Sequence, residues 1–254
     1  MKIAFFYISI FCITASNLFS QTNEDCIRLS QDILYAVRTG DSTVAYAEAL
    51  AGISFEQLIL QLDNEDKKKA FWLNIYNAYT QTGLLENPAW YQNRNEFYKR
   101  KFIVVAGKNL SLDFIEHGII RKSKIKLSLG YLNKLFPGRL EKKLRLKKLD
   151  YRIHFALNCG AKSCPPIAFY KPDQINKQLD VATNAYLKTE VIFNKENNTV
   201  ELPAIFSWFR GDFGGKKGVI KKLQQKNIIP AGISPSVKWK KYDWTLALKN
   251  YETS

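Results

Sequence analysis

The chain has 254 residues, with 38 Lys and Arg against 23 Asp and Glu, and a formal net charge of +15. With 46% apolar and 13% aromatic residues it can bury a proper core, which excludes a disordered or fibrous protein. The basic excess is clustered at residues 121–126, 139–148, 216–217 and 221–222. Such a surface suits an anionic envelope polymer or a membrane surface. Without a zinc-finger or RNA-recognition signature, charge alone argues for no specific nucleic acid. Oligomeric state is not set by the sequence.

The N-terminus reads as a secretory signal. Lys2 precedes an apolar run at 3–13, and Leu18-Phe19-Ser20 forms a cleavage site before Gln21. The run is shorter than the roughly 20 residues that a spanning helix needs. The expectation is a signal at 1–20 and a secreted or periplasmic single domain at 21–254. Cys12 leaves with the signal, and the odd number left, Cys26, Cys159 and Cys164, keeps at least one thiol free or paired between chains.

In chain order, residues 22–62 have helical spacing, interrupted at 40–43. A stronger helix runs from Glu65 to about Leu85, apolar almost all round and therefore buried. Its exceptions, Asn74, Asn77 and Gln81, share one face, either orienting a catalytic group or tying the helix to neighbouring backbone. Residues 102–105 form a strand that turns at 106–109. Ser111 caps a helix through Ile120, with Asp113 and His117 four apart on one face and Glu116 turned about 100° from His117. One or two basic helices are expected over 131–149, and a central strand over 153–157 that places His154 opposite Phe155. A helix over 173–187, a hairpin pairing 191–193 with 199–202, a helix near 216–225 and a strand around 238–248 complete the chain. This pattern predicts an α+β domain with helices packed on a mixed or antiparallel sheet.

Four segments carry the chemistry: Phe71-Trp-Leu-Asn-Ile-Tyr-Asn-Ala78, Ile115-Glu-His-Gly-Ile-Ile-Arg121, the run from His154 to Pro166, and Phe206-Ser-Trp-Phe-Arg-Gly-Asp-Phe213. In order and register they resemble the signatures of the domain-of-unknown-function family 547, across roughly residues 65–225. The resemblance implies a family and no settled activity.

From the residues themselves, three chemistries compete. The first is a thiol nucleophile, Cys159, with His117 as base and His154, Asn158, Asn77 and Asn74 orienting and polarising. The turn amides of Gly160 and Ala161 would then bind an oxyanion. That constellation is papain- or transglutaminase-like, and it implies a hydrolase or acyltransferase acting on amide or ester bonds without a cofactor. The second is a structural Cys159–Cys164 disulfide in a non-catalytic envelope-binding module. The third is a structural zinc site of Cys159, Cys164, His117 and His154. Arg210 and Asp212 form a further polar pair, expected to be a salt bridge that stabilises its own turn.

Overall fold

The computed structural model describes residues 25–252, so the expected signal segment lies outside the described residues. Asp25 starts helix α1 (Cys26–Thr39) by accepting from the Ile27 and Arg28 amides, and Gly40 ends it in the left-handed region at φ 84°. Helices α2 (Val44–Gly52) and α3 (Phe55–Gln61) follow, the second opened by a reciprocal Ser54–Gln57 capping box. Helix α4 (Glu65–Glu86) is capped by Asn64 and packs along α1. Phe71, Trp72 and Ile75 are fully buried on successive faces, as an apolar circumference requires.

Two elements had no sequence signal: a 3₁₀ turn at Pro88–Asn93 and helix α5 (Arg94–Lys99). The hairpin of β1 (Ile103–Val105) and β2 (Lys108–Leu110) turns through Ala106 and Gly107, both at positive φ. The helix after Ser111 is present but wider than expected. Phe114–Ile120 is a π-helix, shown by i→i+5 bonds from Arg121 N–H to Glu116 and from Ser123 N–H to Gly118.

In the next stretch one expectation holds in its smaller form and one fails. Only α6 (Arg139–Leu144) is helical within 131–149, because Leu129 and Gly130 take positive φ and Pro137-Gly138 interrupts the run. Nor is 153–157 a strand: Tyr151–Phe155 forms a 3₁₀ turn capped by the Asp150 carboxylate, with no strand beside it. Ile153, His154, Phe155, Ala156 and Leu157 are all buried, so the alternation of faces does not apply.

Helix α7 (Ile175–Glu190) packs on that turn and leads to a three-stranded sheet of order β3-β4-β5. Strands β3 (Ile192–Asn194) and β4 (Thr199–Leu202) are antiparallel, and β5 (Ser236–Trp239) adds in parallel. Between them lie α8 (Ile205–Trp208) and α9 (Gly215–Gln225). The last strand is shorter than expected. Beyond it the chain runs back across the thiol loop through bridges Ala161–Leu246 and Ile167–Tyr251.

The architecture is α+β in a single domain, mostly helical, with one antiparallel and one mixed sheet, both small. A large apolar cluster surrounds α4, and a smaller aromatic one forms around Phe155, Phe206 and Phe213. Among the described residues, no helix is long and apolar enough to cross a membrane.

Candidate active site

A cavity of about 640 Å³ opens between α5, the π-helix, the 3₁₀ turn, α8 and the C-terminal chain. Its wall includes Cys159, Cys164, His117, His154 and Glu116, among aromatic side chains such as Trp208, Tyr242 and Trp244. Both histidines and both thiols of the sequence motifs therefore reach one space. Asn74, Asn77 and Asn158 do not line it.

Those amides act one layer behind. Asn77 Nδ2 donates to the Ala156 carbonyl (3.0 Å), and its Oδ1 accepts the Asn158 N–H (2.9 Å). Asn158 in turn accepts the Gly160 N–H (2.9 Å) and donates to the Pro165 carbonyl (2.8 Å), closing the thiol loop on itself. Gln81 accepts the Lys249 N–H (2.7 Å), and Asn74 bonds both ways with Tyr170 backbone. The polar stripe of α4 thus ties the helix to backbone, and part of that backbone carries Cys159. The Gly160 amide is already engaged with Asn158 and so is not free for an oxyanion. Gly160 sits at φ +84°, and a Cβ there would lie 2.7 Å from Leu84, so the loop needs glycine at this position.

All three described cysteines are free. The Cys159 N–H donates to Cys164 Sγ (3.0 Å), and the Tyr242 hydroxyl lies 3.3 Å from Cys159 Sγ and 3.2 Å from Cys164 Sγ. The Cys164 thiol holds Cys159 down to about 7, against the upward push of burial and with help from the Tyr242 hydroxyl and the Ala161 amide. Burial, then its bond to Cys159, pushes Cys164 well above the ordinary thiol value. Cys26, buried in the core, is pushed up to about 12. One of three thiols is therefore poised as a thiolate near neutral pH. Neither imidazole hydrogen-bonds to it among the described residues.

The imidazoles belong to a separate buried chain of charge. Arg121 Nε donates to Asp212 Oδ2 (2.7 Å), with both side chains fully buried. The same oxygen lies 2.9 Å from His154 Nε2, and Arg121 Nη1 lies 2.8 Å from His117 Nδ1. Arginine only donates, so His117 must accept at Nδ1 and carry its proton on Nε2. Burial, reinforced by the Arg121 guanidinium, lowers His117 to about 3. Burial also lowers His154, and Asp212 offsets this only in part. Although burial opposes it, donation from His154 and Arg121 keeps Asp212 below the ordinary carboxylate range. The ionised carboxylate therefore takes the His154 Nε2–H and leaves Nδ1 as that ring's acceptor.

Asp212 was expected to pair with Arg210. Instead Arg210 reaches Ser207 (3.4 Å) and the Trp239 ring, while Asp212 turns inward. Two glycines allow this. A Cβ on Gly130 would lie 2.5 Å from Asp212 Oδ1, and one on Gly211 would lie 2.4 Å from the Gly130 carbonyl carbon. The expectation that Glu116 faces away also fails: the π-helix brings it to the cavity, where it accepts from Tyr76 (3.2 Å). Asp113 lies 3.7 Å from His117 Nε2 and is also held by Lys126 at 2.8 Å. Tyr242 carried no signal in the sequence, since only the return of the C-terminal chain places it against the thiols. No group of three or more His, Cys, Asp or Glu among the described residues is arranged to hold a metal ion.

Three outcomes are expected. Asn77→Ala strands two buried backbone groups and should lower the unfolding free energy by about 2–4 kcal/mol, read by urea denaturation. In alkylation with peptide mass mapping, Cys159 should label with a midpoint near its value of about 7, while Cys26 and Cys164 stay protected in the folded protein. His117 is held neutral by the fold, so the unfolded chain binds more protons between about 6.5, the ordinary histidine value, and about 3. Stability should be full above that window and fall as pH drops through it. His117→Gln should show a shallower fall in Tm over the same range.

No curated protein and no solved structure matches the chain significantly. Three of the four motifs fall within the matched region of a family, and the fourth, which supplies Asp212, lies beyond it. The family described as protein of unknown function, DUF547, matches residues 60–187, half of the chain, and the chain belongs to that family.

Proposed function

We propose that the protein is an exported thiol-dependent hydrolase or acyltransferase acting on amide or ester bonds, with Cys159 as nucleophile. The observation that carries this reading is the Cys159 sulfur itself. It stands on the wall of an open, aromatic-lined cavity, faced by donors that favour its thiolate near neutral pH. A structural cysteine in a core has the opposite environment, as Cys26 does.

In this reading the sulfur forms a bond to the acyl carbon as the carbonyl electrons move onto oxygen. Collapse breaks the bond to the leaving nitrogen or oxygen and leaves a thioester. The proton lost by the thiol returns to the leaving group through a cavity imidazole. In the second half, water or another nucleophile attacks the thioester, its proton travels the same way, and the thiolate is released.

His154 suits the relay better than His117, to which the sequence assigns the base. Asp212 takes the His154 Nε2–H and leaves Nδ1 as acceptor, the base-and-orienter arrangement of nucleophile triads. Arg121 occupies His117 Nδ1, so the proton on His117 Nε2 makes that ring a hydrogen-bond donor. Cys159 meets His154 only through substrate or water, a geometry that tightens on substrate binding in many enzymes.

The test is turnover of a panel of chromogenic esters, thioesters and anilides. Cys159→Ala should abolish turnover. His154→Gln should lower kcat roughly 10²–10⁴-fold while leaving the alkylation rate of Cys159 unchanged. Full turnover by Cys159→Ala would remove the reading.

A further inference from the structure

Half of the large exposed apolar side chains among the described residues fall within residues 125–136. Leu127, Leu135 and Phe136 are 89%, 82% and 88% exposed, with Tyr131 and Leu132 beside them. This is not an unstructured tail. Lys134 N–H bonds Ser123 O (2.7 Å), Ile125 N–H bonds Leu132 O (3.0 Å), and the Ser128 hydroxyl bridges Ile125 and Leu132. The base of the loop is pinned by the Gly211 N–H on Leu129 O (2.7 Å) and by Lys126 on Asp113 (2.8 Å). An ordered loop is thus built to hold its apolar side chains outward, at a cost in exposed surface that a folded chain ordinarily avoids.

The surroundings of this crown are cationic. Lys122, Lys124 and Arg139 border it, and Lys216 and Lys217 follow Gly215, where a Cβ would lie 3.5 Å from the Tyr131 hydroxyl. None of these five has a carboxylate partner among the described residues, whereas the acidic groups nearby, Asp113 and Glu141, are already paired with Lys126 and Lys134.

We infer that residues 124–138 form a docking loop for an anionic lipid bilayer, with Leu127, Leu135 and Phe136 entering the acyl boundary while the flanking cations hold the headgroups. The combination decides the partner. A second copy of this chain would bring one cationic rim against another, whereas an anionic bilayer offers apolar depth and negative charge on the same surface. Lys126, Leu127 and Leu129 are also part of the cavity wall. A docked molecule therefore holds the mouth of its cavity at the lipid surface. The inference does not depend on the catalytic reading, since binding is read without turnover.

The experiment is vesicle flotation of the protein as the producing cell processes it, its N-terminus established by mass. Phosphatidylcholine vesicles are compared with vesicles that also contain phosphatidylglycerol, at low and high salt. Wild type should float with the anionic vesicles and be released by salt. Leu135→Ser/Phe136→Ser should lose roughly tenfold or more in partitioning at unchanged Tm, while Leu60→Ser, at a site 76% exposed in α3, should lose nothing. If the double variant unfolds, Leu127→Ser serves in its place. Absence of wild-type flotation at low salt would overturn the inference. Flotation unaffected by the loop variants would do the same, leaving charge attraction alone. So would a wild-type dimer, seen by sedimentation, that dissolves in the variants without any vesicle binding.

Discussion

The buried ion pair between Arg121 and Asp212 is the constraint on which the site hangs. Two full charges with no exposed side-chain surface are costly to bury, and the pair is tolerable only because both groups are shared. Asp212 also takes the His154 proton, and Arg121 also donates to His117. One interaction thereby joins the π-helix, the 3₁₀ turn and the turn after α8. It also sets the tautomer of both histidines in the chain. His154 and Arg121 also both pack on the Phe209 ring, at 4.2 Å and 4.4 Å from its centroid, which supports the arrangement further. The close approach of Gly130 to Gly211, with the Gly211 N–H on the Leu129 carbonyl, joins the exposed 124–138 loop to the Asp212 turn.

The thiol pair is organised separately, by amides. Asn77 and Asn158 satisfy the backbone of an irregular segment that no sheet ladder could satisfy. The result is a loop rigid enough to hold two sulfurs against one phenol. Cys159 and Cys164 divide the proton inventory unequally. Cys164 stays a thiol because it is buried, and as a thiol it stabilises the anion of Cys159. A dithiol of this kind lowers one thiol without an imidazole in contact. That is why the histidines are free to be organised around a carboxylate instead.

Much of this was legible in the chain. Helix α4 was readable because its apolar residues run all round, and its polar stripe declared a buried hydrogen-bonded role. The β3–β4 hairpin followed from β-branched and aromatic residues flanking a turn, and β1 from its β-branched run, whereas β2 takes in Lys108 and Asn109, which were read as turn. The grouping of both histidines and two cysteines in motifs pointed to one site, and all four side chains do line one cavity. What failed did so where local pattern was outweighed. The alternation at 153–157 suggested a strand, but a strand needs a neighbour, and α7 and Asp150 offered a capped turn instead. The helical expectation over 131–149 is met only by α6, and the leucines that precede it, Leu132 and Leu135, are exposed outside any helix.

The sequence by itself determined the composition of the site: one thiol-bearing turn, two histidines, a buried amide helix and an excess of positive charge. These follow from residue types and short-range spacing, which act within a few positions of the chain. Only the tertiary structure decided the roles. It brought Tyr242 against the sulfurs from 78 and 83 residues away, and Asp212 against His154 from 58. The Asp212 contact sets which ring nitrogen of His154 holds a proton, and the burial of Cys164 beside Cys159 sets which thiol is lowered. Both outcomes depend on burial and on distances between remote segments, and neither quantity is written in local sequence.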